Sequence, residues 1–410
     1  MKIRITLLLV YIMLGYIGFS QEEKAKNLTS LIQVNTYDLK IENDQFAGSG
    51  AEILRKAIPQ CQFLLVGEQH GIKEVGQFTK VLFEEGHPHG FQYMAVETDP
   101  FIATRLETFA QGELDAIKAF CAEFPFAIPF YNNTEDFDFL TTVKTKSKAK
   151  TTFWGIDQVF AAAPRYLFSR LVEIAPDDKA KTLAEEYLNK AKEGFNQAMA
   201  TGRMDQVIMN TLQPEDFEQL YAAFPKATGE AHQIVQGIEK SQEIYLYWFG
   251  GQYYNNNQVR GKLMKKQFMD YYRAAQEETE QPKVIFKFGA NHMEKGLTST
   301  NIFDIGNLAS ELAATNGMES LHIKFTGAKG SYFNALGGPQ EFDDTENWPN
   351  EFQEALQEKL NGEDWILIDM RPLRQLRMKN GEEKIKRLIF NYEIWVMPPT
   401  VHPVSTFLLK

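Results

Sequence analysis

The chain has 410 residues, 44% hydrophobic and 24% charged, with a formal net charge of -11. That composition is globular, with apolar content for a large core, and the length fits either several domains or one α/β core with insertions. The acidic balance and the lack of a basic stripe argue against a nucleic-acid surface.

The N-terminus reads as a targeting segment. Lys2 and Arg4 supply positive charge, Ile5 to Phe19 is almost wholly apolar, and Gly18-Phe19-Ser20 offers small residues at a signal-peptidase spacing. The apolar run is short for a spanning helix. Residues 1–20 are therefore expected to be cleaved, leaving a periplasmic or secreted protein that begins at Gln21 and has no integral membrane span. No Cys follows the run, so a lipoprotein anchor is not indicated. Cys61 and Cys121 are the only cysteines. Two thiols do not make a disulfide framework, and pairing or free burial both stay open.

Residues 22–45 are polar and loosely patterned, as in a lead-in segment. Apolar residues at Ile53, Leu54, Ala57 and Ile58 predict a helix over 51–58, ended by Pro59. Cys61 to Val66 reads as a strand with little polar alternation, as expected when both faces are buried. It ends in Gly67-Glu68-Gln69-His70-Gly71, a carboxylate and an imidazole between glycines. A helix follows over 73–85, then a turn holding His87 and His89. The second strand, Phe91 to Val96, ends in Glu97. Helices over 102–110 and 114–120 lead to an aromatic, proline-containing loop over 124–131 and a helix over 137–145. The third strand, Thr151 to Ile156, ends in Asp157.

From Ala161 to Gln281 amphipathic helices replace strands. The stretch is longer than an ordinary crossover and reads as a cap. Pro282 to Phe288 is the fourth strand, ending in Gly289-Ala290-Asn291-His292. A helix over 305–314 and strands over 321–325, 364–369 and 392–397 complete the pattern. The expected fold class is α/β: a mostly parallel central sheet flanked by helices, with a large helical cap insertion. Residues 21–160 and 282–410 form the core domain and residues 161–281 the cap.

Four successive strands that end in ionisable residues are the chemical signal. Ligands of open α/β sheets bind beyond the carboxyl ends of the strands, so Glu68, His70, Glu97, Asp157 and His292 are expected along one edge. Glu74, one turn into the next helix, and Arg260, on the last cap helix, are expected to reach the same crevice. Arg165, after Asp157, is a weaker candidate. Trp248, Tyr253 and Tyr254 are expected to pack in the cap-helix core or to line an apolar pocket. Two chemistries fit. His70 can be a general base that activates water for attack on a carbonyl. Alternatively Glu68, His70, Glu97 and His292 bind a divalent metal that acidifies bound water. His-Glu-x-x-His, Gly-x-Ser-x-Gly, Gly-x-Gly-x-x-Gly and Walker motifs are absent. A nucleotide cofactor has no support, and the first chemistry requires no cofactor.

These residues resemble the erythromycin esterase family, within a wider group that holds ChaN-like haem-binding lipoproteins and TIKI-type proteases. The family's Gly-Glu-x-x-His-Gly, followed by an acidic residue, is similar to Gly67-Glu68-Gln69-His70-Gly71 through Glu74, one residue shorter here between Glu and His. Its second-strand glutamate matches Glu97, its Gly-hydrophobic-Asp matches Gly155-Ile156-Asp157, and its Arg-x-x-x-Met matches Arg260 to Met264. Its late Ala-His-Asn-x-His run is similar to Phe288 to His292, with Gly289 where the first histidine would stand. For the esterases the resemblance implies a His-activated water attacking an ester. For the TIKI type it implies a metal-dependent peptidase, and for the ChaN type a non-catalytic haem or iron-binding protein.

The leading expectation is an exported hydrolase acting on an ester or related acyl bond of a small molecule. In it His70 is the base, oriented by Glu68 or Glu97. His292 and Arg260 stabilise negative charge, and Asp157 holds a cation in place.

Overall fold

The computed structural model describes residues 28–112, 114–334, 337–376 and 383–408. The targeting segment, residues 1–20, lies outside them. No helix among the described residues is long and apolar enough to cross a membrane.

Twelve strands run in chain order: β1 Thr36–Glu42, β2 Gln45–Ala47, β3 Cys61–Glu68, β4 Phe91–Val96, β5 Phe153–Gly155, β6 Lys283–Gly289, β7 Glu319–Phe325, β8 Lys329–Asn334, β9 Gly338–Asp343, β10 Trp365–Asp369, β11 Ile394–Met397 and β12 Thr400–Val401. Nine of them make one sheet in the order β2-β1-β10-β11-β7-β3-β6-β4-β5. From β11 to β5 every neighbouring pair is parallel. β10, β1 and β2 extend it as an antiparallel edge.

The strand at the centre explains why the sheet needs two covers. All eight residues of β3 are buried, which a half-solvated sheet would not allow. Its side chains alternate between two helix layers. Leu64 and Val66 join the cluster of Val75, Phe78 and Leu82, on helix α1 (Lys73–Gly86), and Phe139 and Leu140, on helix α2 (Thr134–Lys146). Phe63 and Leu65 join Met264 and Phe268, on helix α3 (Tyr253–Ala275), and Ile305 and Ala309, on helix α4 (Ile305–Thr315). The period of two along the strand meets the 3.6-residue period of each helix.

The insertion between β5 and β6 is helical, as expected. It comprises helices Pro164–Glu173, Asp178–Thr201, Pro214–Ala223, Glu230–Phe249 and α3, with short 3-10 turns between. Because β6 enters between β3 and β4, the chain returns from the insertion to the middle of the sheet. The carboxyl ends of β3, β6, β4 and β5 therefore stand side by side.

Three features go beyond the sequence reading. Part of the supposed lead-in is the hairpin β1–β2. Tyr37, Leu39 and Ile41 alternate with polar residues, and Asn43 and Asp44 turn the chain at φ 52° and 58°, the left-handed pair of a tight hairpin. Its signal was present but short. The strand over 364–369 is β10, antiparallel to both its neighbours, β1 and β11. A second sheet, in the order β12-β8-β9, had no strong pattern, since β9 reads Gly-Pro-Gln-Glu-Phe-Asp and is mostly exposed.

Candidate active site

His70 stands just beyond β3. Its ring is fixed on both sides. Nδ1 lies 2.7 Å from Glu68 Oε1, and the ring stacks on Phe130 at 3.8 Å between centroids and 10° between planes. An Nδ1–H donated to Glu68 leaves Nε2 with its lone pair free of a proton. Nε2 faces Glu97 Oε2 at 3.7 Å, and the side chain is 35% exposed.

Glu68 is buried and does not depend on His70 alone. Its other oxygen lies 2.8 Å from Lys287 Nζ on β6, and Lys287 is only 2% exposed. Lys287 Nζ also lies 3.1 Å from Asp136 and 4.7 Å above the Tyr131 ring. Burial pushes the Glu68 carboxyl up, but the Lys287 ammonium and the His70 ring outweigh it and hold it down at about 2. Burial pushes the His70 ring down, but Glu97 and Glu68 outweigh it and raise its proton affinity above the ordinary value. Asp136 goes the other way: burial raises it despite Lys287, with Glu68 adding repulsion.

A second charged group lies across the crevice. Arg260 on α3 donates Nε to Asp157 Oδ1 at 2.8 Å and Nη2 to Asp157 Oδ2 at 2.6 Å. The same Nη2 reaches Glu97 Oε1 at 3.0 Å. Burial raises the Asp157 carboxyl, but Arg260 outweighs it and holds it below its ordinary value. His292 repeats the pattern of His70: Nδ1 lies 2.8 Å from Asp304 Oδ2 and Nε2 lies 3.8 Å from Glu97 Oε1. Glu97 thus sits between two histidines, each held through Nδ1 by its own carboxylate. Its Oε2 accepts from the Gly289 backbone N–H at 2.5 Å.

Glu68, His70, Glu97, Asp157, Arg260 and His292 line a cavity of about 450 Å³ with Gln158, Phe160, Tyr245 and Asn291. Of the residues expected at the crevice, Glu68, His70, Glu97, Asp157, Arg260 and His292 are brought together there. Glu74 is not. It is buried, and both its oxygens turn to His402, at 2.8 Å from Nδ1 and 3.2 Å from the backbone N. A helix residue one turn after His70 points along the sheet edge, and the C-terminal segment intercepts it. Arg165 is also elsewhere. It lies 3.4 Å from the Phe195 ring centre and donates to the Ala162 and Pro125 carbonyls. Trp248, Tyr253 and Tyr254 do not pack in the cap-helix core: they are 52%, 56% and 54% exposed. Cys61 and Cys121 are free and buried, and burial pushes both thiols up to about 12.

Four residues of the cluster escaped the sequence reading. Lys287 and Asp136 are side chains whose role comes from neighbours far along the chain, and Asp304 takes its role from His292, 12 residues before it. Lys287 left a trace, because a lysine in the apolar run Val-Ile-Phe-Lys-Phe cannot reach solvent from a strand covered on both faces. Phe130 left another, in the aromatic loop. The Gly289 departure from the resembled motif has a steric reason: a Cβ there would sit 2.9 Å from His70 Nε2.

The donor set gives a metal little room. Among the described residues, no group of three or more His, Cys, Asp and Glu side chains is arranged to hold an ion. Glu68, Glu97 and Asp157 are already neutralised by Lys287 and Arg260. A divalent ion would have to displace those cations.

Next to the charged cavity lies an apolar one of about 380 Å³. The two share His70, Pro129, Phe130 and Phe160. The loop between them is strained. Phe126 and Phe130 hold φ at 65° and 61°, the left-handed region that bulky side chains avoid at a cost of about 1–3 kcal/mol each. The far wall is β8, docked on the opening motif: Phe333 N donates to Gly71 O at 2.9 Å. Gly71 has φ 85°, and a Cβ would fall 2.3 Å from the Phe333 carbonyl oxygen, so no larger residue fits.

Comparison with models of known protein families finds no match, and comparison with curated protein sequences finds none. Solved structures do match. A Bacillus cereus protein aligns over 93% of this chain and 99% of its own, with TM-score 0.58 and 15% identity. A succinoglycan biosynthesis protein aligns over 93% and 98%, with TM-score 0.59 and 19% identity. A point mutant of the erythromycin esterase EreC, in its open conformation, aligns over 87% and 95%, with TM-score 0.56 and 16% identity. At such identities the likeness is one of fold: this chain shares with these structures an α/β fold with a helical insertion.

Proposed function

We propose that the chain is an exported hydrolase that cleaves an ester or related acyl bond of a small molecule with His70 as general base. The observation that carries this reading is the state of the His70 ring: Nδ1 fixed on an ionised Glu68, Nε2 turned into the cavity opposite Arg260 and His292. The export half rests on the apolar, basic-headed N-terminus.

In the reaction, Nε2 takes a proton from a water molecule as its oxygen bonds to the acyl carbon. Glu68 and Glu97 stabilise the imidazolium so formed. Negative charge grows on the former carbonyl oxygen, and the Arg260 guanidinium and the His292 ring lie across the cavity to receive it. Asp157 holds Arg260 in place, and Asp304 holds His292. When the carbon–oxygen bond to the alcohol breaks, the proton on Nε2 passes to the leaving alkoxide. The products are a carboxylic acid and an alcohol. No metal takes part in this scheme, which suits carboxylates already paired with Lys287 and Arg260.

The test is His70→Ala against a panel of ester substrates. A general base contributes about 10²–10⁴-fold, so the variant is expected to lose activity on that scale. Equal hydrolysis by variant and wild type would remove His70, and this reading, from the chemistry.

A further inference from the structure

We propose that the apolar cavity beside His70 is a binding site for an uncharged, apolar group carried next to the scissile bond, so that the substrate is an amphiphilic ester. The proposal rests on the hydrolase reading for its chemistry, but its evidence is separate.

The first observation is the wall. Among the described residues lining that cavity no Asp, Glu, Lys or Arg occurs, and apart from His70 the lining comes mostly from Phe, Ile, Met, Ala and Pro side chains such as Phe126, Ile128, Phe160 and Phe195. Its polar side chains are few, and Asn132, Asn133 and Tyr332 among them already hydrogen-bond within the protein, so a charged or heavily hydroxylated group would lose its water there for few new partners. The second observation is the position. The two cavities share His70 and Phe130, so a group seated against Phe195 belongs to a molecule whose reacting carbon lies at His70 Nε2. The third is the strain. Phe126 and Phe130 adopt left-handed backbone conformations, yet both rings are only half-buried, and Met199 on the rim is 43% exposed. Core packing does not account for strained residues whose rings stay partly in water. Display of those rings to a ligand does. At about 380 Å³ the cavity is in the range of small-molecule sites, so the group is of moderate size.

The experiment measures kcat/KM for two ester series. One is p-nitrophenyl alkanoates from acetate to decanoate, which lengthen the acyl side. The other is alkyl acetates, which lengthen the alcohol side. Each methylene buried in the cavity is expected to raise kcat/KM by about fourfold until the cavity is full, in one series only, and that series identifies the side of the ester that enters. Ala161→Trp, which fills the cavity, and Met199→Glu, which charges its rim without touching the core, are each expected to flatten the dependence. A flat dependence in the wild type, or a slope that survives both substitutions, overturns the proposal. If no ester is hydrolysed, the hydrolase reading has failed, and calorimetric titration with N-alkylacetamides of increasing length decides the binding site alone. Affinity that grows with chain length, with a negative heat-capacity change, and weakens in Ala161→Trp upholds the site. Affinity independent of length overturns it.

Discussion

Two cavities meet at one histidine, and they are built on opposite principles. The charged one is set mainly at strand ends, with Glu68 and His70 at β3, Glu97 at β4, Asp157 at β5 and His292 beyond β6, and Arg260 added from α3. Its side chains are locked in ion pairs of 2.6–3.1 Å, and their charge states follow from those pairs. The apolar one is made of a strained loop, insertion helices and the small second sheet, with half-exposed aromatic rings. Rigid strands suit chemistry, where a displacement of one ångström is costly. Loops and helices of the insertion suit selection, where shape decides.

The contrast can be broken from either side. The largest effect is expected from Lys287→Met, which leaves Glu68 and Asp136 facing each other buried and without a cation. Breaking such a pair costs about 3–5 kcal/mol, visible as a lower denaturant midpoint. A loss under 1 kcal/mol would mean that the pair is already solvated.

Glu68→Gln comes next. Glu68 raises the His70 proton affinity, so its removal is expected to move the acid limb of the kcat/KM profile to lower pH, with a lower plateau. A limb that stays in place would sever His70 from the rate. Stability follows the same pair. The lowered Glu68 carboxyl stabilises the fold above its unfolded value of about 4.3 and ceases to do so as pH falls towards about 2. The raised His70 stabilises fully below about 6.5 and ceases to do so as pH rises through its folded value. The melting temperature of the wild type should therefore exceed that of Glu68→Gln most between those two unfolded values. A gap that does not vary with pH would contradict the ion pair.

Phe130→Ala tests the shared wall. It is expected to lower kcat and the apolar preference together, whereas Phe160→Ala, which lines both cavities but is not the ring stacked on His70, should act on KM. If Phe130→Ala leaves kcat intact, stacking does not hold the ring. The smallest effect is expected from a chelator, which should leave hydrolysis unchanged. A loss restored by added metal would replace the general-base scheme.

Much of this was legible in the residues alone. Buried parallel strands announce themselves as apolar runs, because both faces meet helices, and their polar ends mark the edge where ligands bind. Glu68, His70, Glu97, Asp157 and His292 were read that way, and Arg260 from its place on the last cap helix before the fourth strand. Glu74 shows the limit of the method: spacing from His70 is local, but its partner, His402, is more than three hundred residues away. Lys287 and Asp136 acquired roles for the same reason in reverse.

The opening motif, the strand ends and the helical insertion were thus determined by local pattern, because hydrophobic period and turn residues act over a few neighbours. Tertiary structure alone decided the rest. Inserting β6 between β3 and β4 brought Lys287 behind Glu68, and the return of β8 over Gly71 closed the apolar wall. Both depend on which distant strands pair, and that choice is governed by burial of the whole sheet rather than by any short stretch of it.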